Sequence, residues 1–143
     1  MTHDEIKMRF IDEIKLRGYE DRYIDRNEER EILQIAIQLG VNIDAARADL
    51  AEVCAAEGYV LETVVLKLIR EQVEAAAAND GRIDRQEFDL ILANARSAVG
   101  GKKTDRQVKT LMVQVMEDTG NNRVKRGWFT NWYAAMKREL GIV

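Results

Sequence analysis

Two aspartate–glutamate pairs are the residues of this chain best placed to do chemistry. Asp25 and Glu28 stand in the segment I-D-R-N-E at residues 24–28, and Asp84 and Glu87 in I-D-R-Q-E at residues 83–87. Asp21 and Asp80 add a carboxylate near the start of each copy, and Ile32-Leu33 answers Ile91-Leu92 further on. Carboxylates at this spacing can do two things. They can offer oxygen ligands to a hard divalent cation such as Ca2+ or Mg2+. They can also close a helix N-terminus, because Asp followed three residues later by Glu is a capping box. In that device each side chain takes up a backbone N–H that the helix itself leaves unpaired.

The segment from Asp80 to Glu87 matches the back half of an EF-hand calcium loop. Gly81 takes the tight-turn position, Ile83 the apolar position that pairs with a partner loop, and Glu87 the final bidentate ligand. Asp80 and Asp84 take the fifth and ninth positions. The front half has no side-chain oxygens, since its first and third ligand positions hold Ala76 and Ala78. In the other copy those places hold Arg17 and Tyr19, and Arg22 stands where the turn glycine would be. The favoured reading is structural. Asp25 and Asp84 cap helices, and Ile24 and Ile83 pair the two loops through their backbones. A weak cation site built from Asp80, Asp84 and Glu87, with Asp21, Asp25 and Glu28, is the alternative.

An alanine-rich helix end followed by N-D-G-R-I-D-R-Q-E and an amphipathic helix resembles the TerB-like domains of the tellurite-resistance group. The segment Y-I-D-R-N-E-E-R-E-I-L looks like the first helix–loop–helix unit of such a domain and residues 80–92 like the second. The resemblance covers residues 19–100. It implies an all-helical, non-enzymatic bacterial domain of stress-response or membrane-associated complexes. It also implies acidic residues that touch metal, here Asp21, Asp25, Glu28, Asp80, Asp84 and Glu87.

The second candidate surface is basic and aromatic. Lys125, Arg126, Trp128, Phe129, Trp132 and Tyr133 crowd residues 123–133, with the two tryptophans four apart and so on one helix face. Such a segment can stack bases, lie on a membrane or anchor a protein partner. The favoured reading puts Trp128, Trp132 and Met136 in the core, flanked by Phe129 and Tyr133. Gly100-Gly101-Lys102-Lys103-Thr104 lacks the upstream glycine and the Lys-Ser/Thr pair of a phosphate loop and reads as a solvated turn. Catalysis finds no constellation. The single histidine, His3, is near the N-terminus, and Cys54 sits among Ala and Val as a small apolar residue.

The elements that must position these residues are helices. Pro is absent, and no alternating strand pattern is visible. The expected fold is all-α, one domain over 1–143, with six to seven short helices and two pseudo-repeated units around a central helix. Helix starts are marked by Thr2/Glu5, Asp25/Glu28, Asn42, Asp84/Glu87 and Thr104/Gln107. The broad apolar stretch at 60–78 predicts the most buried helix, with Val60, Leu61, Val64, Val65, Leu68, Ile69 and Val73 inward. Residues 1–99 carry 13 Lys/Arg against 21 Asp/Glu and residues 100–143 carry 9 against 4, so a basic tail follows an acidic body. The lone cysteine and the absence of a signal-like or bilayer-length apolar run point to the cytoplasm. The expected function is an interaction or scaffold module with another protein as partner. A weak Ca2+ or Mg2+ sensor is the alternative, and a membrane- or nucleic-acid-associated adaptor the third reading. No other cofactor is expected, and the oligomeric state is open.

Overall fold

A computed structural model describes residues 2–78, 81–119 and 132–142. Among them there are seven helices: α1 (His3–Gly18), α2 (Arg26–Gln38), α3 (Ile43–Glu57), α4 (Glu62–Ala77), α5 (Arg85–Val99), α6 (Asp105–Thr119) and α7 (Trp132–Glu139). The all-α expectation holds, with one addition. Two strands of two residues each, β1 (Tyr23–Ile24) and β2 (Val60–Leu61), pair in parallel. The chain divides into two compact units, Met1–Val64 and Val65–Val143, and α4 crosses the division.

Helix starts follow the local signals. Thr2, Asp25 and Asp84 each make a reciprocal capping box with the glutamate three residues on. Asn42 accepts from the backbone N–H groups of Asp44 and Ala45, and Thr104 and Gln107 make the same exchange ahead of α6. α3 and α5 end in left-handed glycines, Gly58 and Gly100, as helix stops do. Gly18 has another reason. A Cβ there would lie 2.5 Å from the ring of Tyr59, so the absent side chain lets α1 pack against the α3–β2 turn.

In the first unit, Phe10 and Ile14 of α1, Ile32 and Ala36 of α2, and Ala46, Leu50, Val53 and Cys54 of α3 bury one another together with Ile24. Lys7–Asp49 and Lys15–Glu57 ion pairs, at 3.7 and 3.4 Å, run along the α1–α3 seam. In the second unit, α4 buries Val65, Ile69, Val73 and Ala77, one residue per turn. That stripe is narrower than the sequence suggests. Val64 is 59% exposed, and Val60 and Leu61 belong to β2 instead of the helix. The unit also buries Ile83, Phe88, Ile91 and Leu92 near α5, and Met112, Val115 and Met116 on α6.

The repeat is deeper than the letters. In the first copy the amide of Arg22 donates to the carbonyl of Gly18 at 2.9 Å, and in the second Gly81 donates to Ala77 at 2.7 Å. Arg22 and Gly81 are equivalent, and both have positive φ, 55° and 75°. The two copies therefore share this hydrogen bond and this left-handed position, and the first fills it with a residue whose Cβ resists that conformation. Arg22→Gly is expected to raise stability by about 0.5–1 kcal/mol, the left-handed penalty less the added entropy of glycine. Urea titration checks this, and a lower midpoint would refute it. Ile24 lies opposite Leu61 and Tyr23 opposite Val60, a pairing inside the first unit that the sequence does not announce. The amide of Val60 completes the contact by donating to the carbonyl of Arg22 at 2.8 Å.

Candidate functional site

Five of the acidic residues singled out by the repeat, Asp21, Asp25, Glu28, Asp84 and Glu87, are occupied locally. Asp25 Oδ1 accepts from the Glu28 amide at 2.8 Å, and the Asp25 amide donates to Glu28 Oε1 at 3.2 Å. Asp84 and Glu87 repeat this at 2.8 and 3.1 Å. Asp21 Oδ1 accepts from the Tyr23 amide at 3.1 Å, a side-chain turn that shapes the entry to β1. Burial first, then the neighbouring Asp25 and Asp21 charges, push the Glu28 carboxyl above its ordinary range, against the lowering effect of its backbone hydrogen bond. Among the described residues no three His, Cys, Asp or Glu side chains gather as a metal-binding group, and Asp80 lies outside the described residues. Titration with Ca2+ or Mg2+ up to several millimolar is expected to leave the amide resonances of Gly81 and Asp84 unshifted. A saturable shift would make these caps into ligands.

Of the basic–aromatic residues, Lys125, Arg126, Trp128 and Phe129 lie outside the described residues. Trp132 and Tyr133 open α7. Tyr133 is a core residue, 6% exposed, and not a flanking one, while Trp132 is half-buried. Trp132 packs between Phe88, at 5.2 Å between ring centroids, and Tyr133, at 5.8 Å edge-on. The Arg85 guanidinium stands 5.7 Å over the Trp132 ring, a cation–π contact. Lys137 pairs with Glu117 and lies 5.6 Å over Tyr133. These contacts tie α5, α6 and α7 of the second unit.

Two features of the first unit were not picked out by the sequence. The first is a buried polar network. The Tyr23 hydroxyl donates to Glu62 Oε2 at 2.7 Å, and Arg26 Nε stands 3.8 Å from Glu62 Oε1. Tyr23 is 1% exposed and Glu62 8%, so this pair closes the space between β1 and the start of α4. Tyr23 is raised well above the usual phenol range, by burial first and then by its hydrogen bond to Glu62. The second is a groove of about 630 Å³ beside α2. Arg26, Arg30, Leu33, Gln34 and Ile37 recur along one face of that helix, Arg47 faces them from α3, and Leu61 and Thr63 close the far side. Glu29 is the one acid in the lining, and its carboxylate accepts from the Thr63 hydroxyl. Arg26 shares Glu62, but Arg30 and Arg47 have no carboxylate partner among the described residues.

Cys54 is buried in the core of this unit, and burial pushes its thiol up to about 11. A neutral, enclosed thiol is a poor nucleophile. Ellman's reagent at pH 8 is therefore expected to leave Cys54 unmodified in the native chain and to label it fully in guanidinium. Rapid native labelling would show the core to be open.

No family model, curated protein or solved structure matches the chain. Among the described residues no helix is long and apolar enough to cross a membrane.

Proposed function

We propose that the chain is a non-enzymatic interaction module of the TerB-like kind, working in a bacterial stress-response or membrane-associated complex. The observation that carries this reading is the groove beside α2. It sets exposed guanidinium groups next to Leu33, Ile37 and Leu61, and Ile37 is 57% exposed. An arginine fork beside accessible aliphatic surface is the composition of a protein-binding anchor. The use of Asp25, Glu28, Asp84 and Glu87 as helix caps supports the same reading, because those carboxylates hold the loops that hold the helices. A photo-crosslinking residue at position 37, introduced in the native host, tests the proposal. A discrete protein adduct is expected there and none at exposed Gln114 on α6. No adduct at 37, or the same adduct from both positions, would overturn it.

A further inference from the structure

We infer that the groove beside α2 takes an acidic, amphipathic segment of a partner protein. This rests on the interaction reading and names the chemistry of its partner. The first unit is strongly acidic, with 8 Lys/Arg against 15 Asp/Glu over residues 1–64, a net of −7. Three of its six arginines, Arg26, Arg30 and Arg47, nevertheless line one groove. The local charge is thus reversed against its surroundings, which favours a carboxylate-bearing partner at that spot and repels it elsewhere. Arginine presents a planar fork that meets a carboxylate with two parallel hydrogen bonds, and Arg30 and Arg47 have no carboxylate partner among the described residues.

The shape of the groove selects a peptide over a small anion. Its lining runs from Arg26 to Ile37 along α2, about 16 Å at the helical rise. One end of that stripe is cationic, and the other, at Leu33 and Ile37, is aliphatic. A segment with Asp or Glu two turns from Leu, Ile or Phe would engage both ends, in the helix-in-groove manner. A second copy docked symmetrically through the same groove would bring the same excess of guanidinium groups to both sides of the contact, since a two-fold interface presents the same patch twice.

Selection of random peptides displayed on phage, against the whole chain, tests this. Enriched peptides are expected to combine Asp or Glu with large aliphatic or aromatic residues at helical spacing. Fluorescence anisotropy with the most enriched peptide, made synthetically, should then show binding weakened about tenfold or more by R30E/R47E. The exposed control Lys67→Glu should leave it unchanged, and circular dichroism should confirm that both variants fold. Peptides without acidic residues, or binding indifferent to R30E/R47E, would overturn the inference while leaving the interaction reading intact. Self-association lost in R30E/R47E without any peptide binding would assign the groove to a second copy and overturn it too. An empty selection would do the same, and the crosslink at position 37 would then decide the wider reading separately.

Discussion

Ile83→Asp is expected to unfold the second unit, while Asp84→Asn, one residue along, leaves the thermal melt almost where it was. Ile83 is fully buried. Losing its side chain from the core removes about 1.5–3 kcal/mol of apolar burial. The aspartate that replaces it would bring a carboxylate into that space, and an unpaired buried charge costs several kcal/mol more. Against a total stability of about 5–15 kcal/mol for a domain, the sum is disabling. Asp84 is the more conspicuous residue in the sequence, yet its work is to accept one backbone N–H, from Glu87 at 2.8 Å. Asparagine accepts the same bond and ranks with aspartate at helix N-caps. Only the favourable charge at the helix N-terminus is lost, about 0.3–1 kcal/mol. Thermal melts by circular dichroism separate the two. If Asp84→Asn melted lower than Ile83→Asp, the acidic residues would have a role beyond capping.

What the sequence displayed was local, and the reason is the range of the forces. A capping box is a contact across three residues, so Thr2/Glu5, Asp25/Glu28 and Asp84/Glu87 can be read from letters alone. The burial of Ile24 and Ile83 follows from their place directly before the Asp25 and Asp84 caps, and that of Cys54 from its Ala and Val neighbours on α3. Contacts between distant segments were not legible. Val60 and Leu61 read as the first turn of a helix, because two residues of strand leave no periodicity to detect. Glu62 stands in the sequence as a charge within the apolar stretch at 60–69. Its partner Tyr23 is 39 positions away, and no spacing rule joins them. Arg26, Arg30 and Arg47 carry no motif of their own in the sequence, and only the approach of α3 to α2 turns them into one lining. Arg22 hid a turn that Gly81 announces, because a left-handed arginine is held by its surroundings and not by its own preference. One signal was available. Tyr23 lies immediately before Ile24 in the I-D-R-N-E copy, where the other copy has Arg82, so the two loops were marked as differing at that place.

That difference leads to the second large effect, which depends on pH. Tyr23→Phe is expected to lower stability by about 1.5–3 kcal/mol at neutral pH, because it removes a hydrogen bond to a buried, charged Glu62. Above pH 10 the gap between wild type and variant should close. The Tyr23 phenol is raised above its ordinary value of 10.0 in the fold, so the folded chain keeps a proton that the unfolded chain gives up. Where the folded state binds more protons, stability falls as pH rises. The contribution is whole below pH 10 and is lost from there upward, at about 1.4 kcal/mol per pH unit for each such group. Tyr133 is raised in the same direction, by burial first and then by the charge of Glu117. Cys54, pushed up to about 11 from 9.0, adds a loss of the same sign between those values. Both groups remain in the variant, so their effects cancel in the difference, and the closing gap reports Tyr23 alone. Urea unfolding of wild type and Tyr23→Phe at pH 7, 9, 10 and 11 reads it directly. A difference that stays constant across the series would mean that the Tyr23 hydroxyl is open to water, and the buried link from β1 to the start of α4 would have to be abandoned.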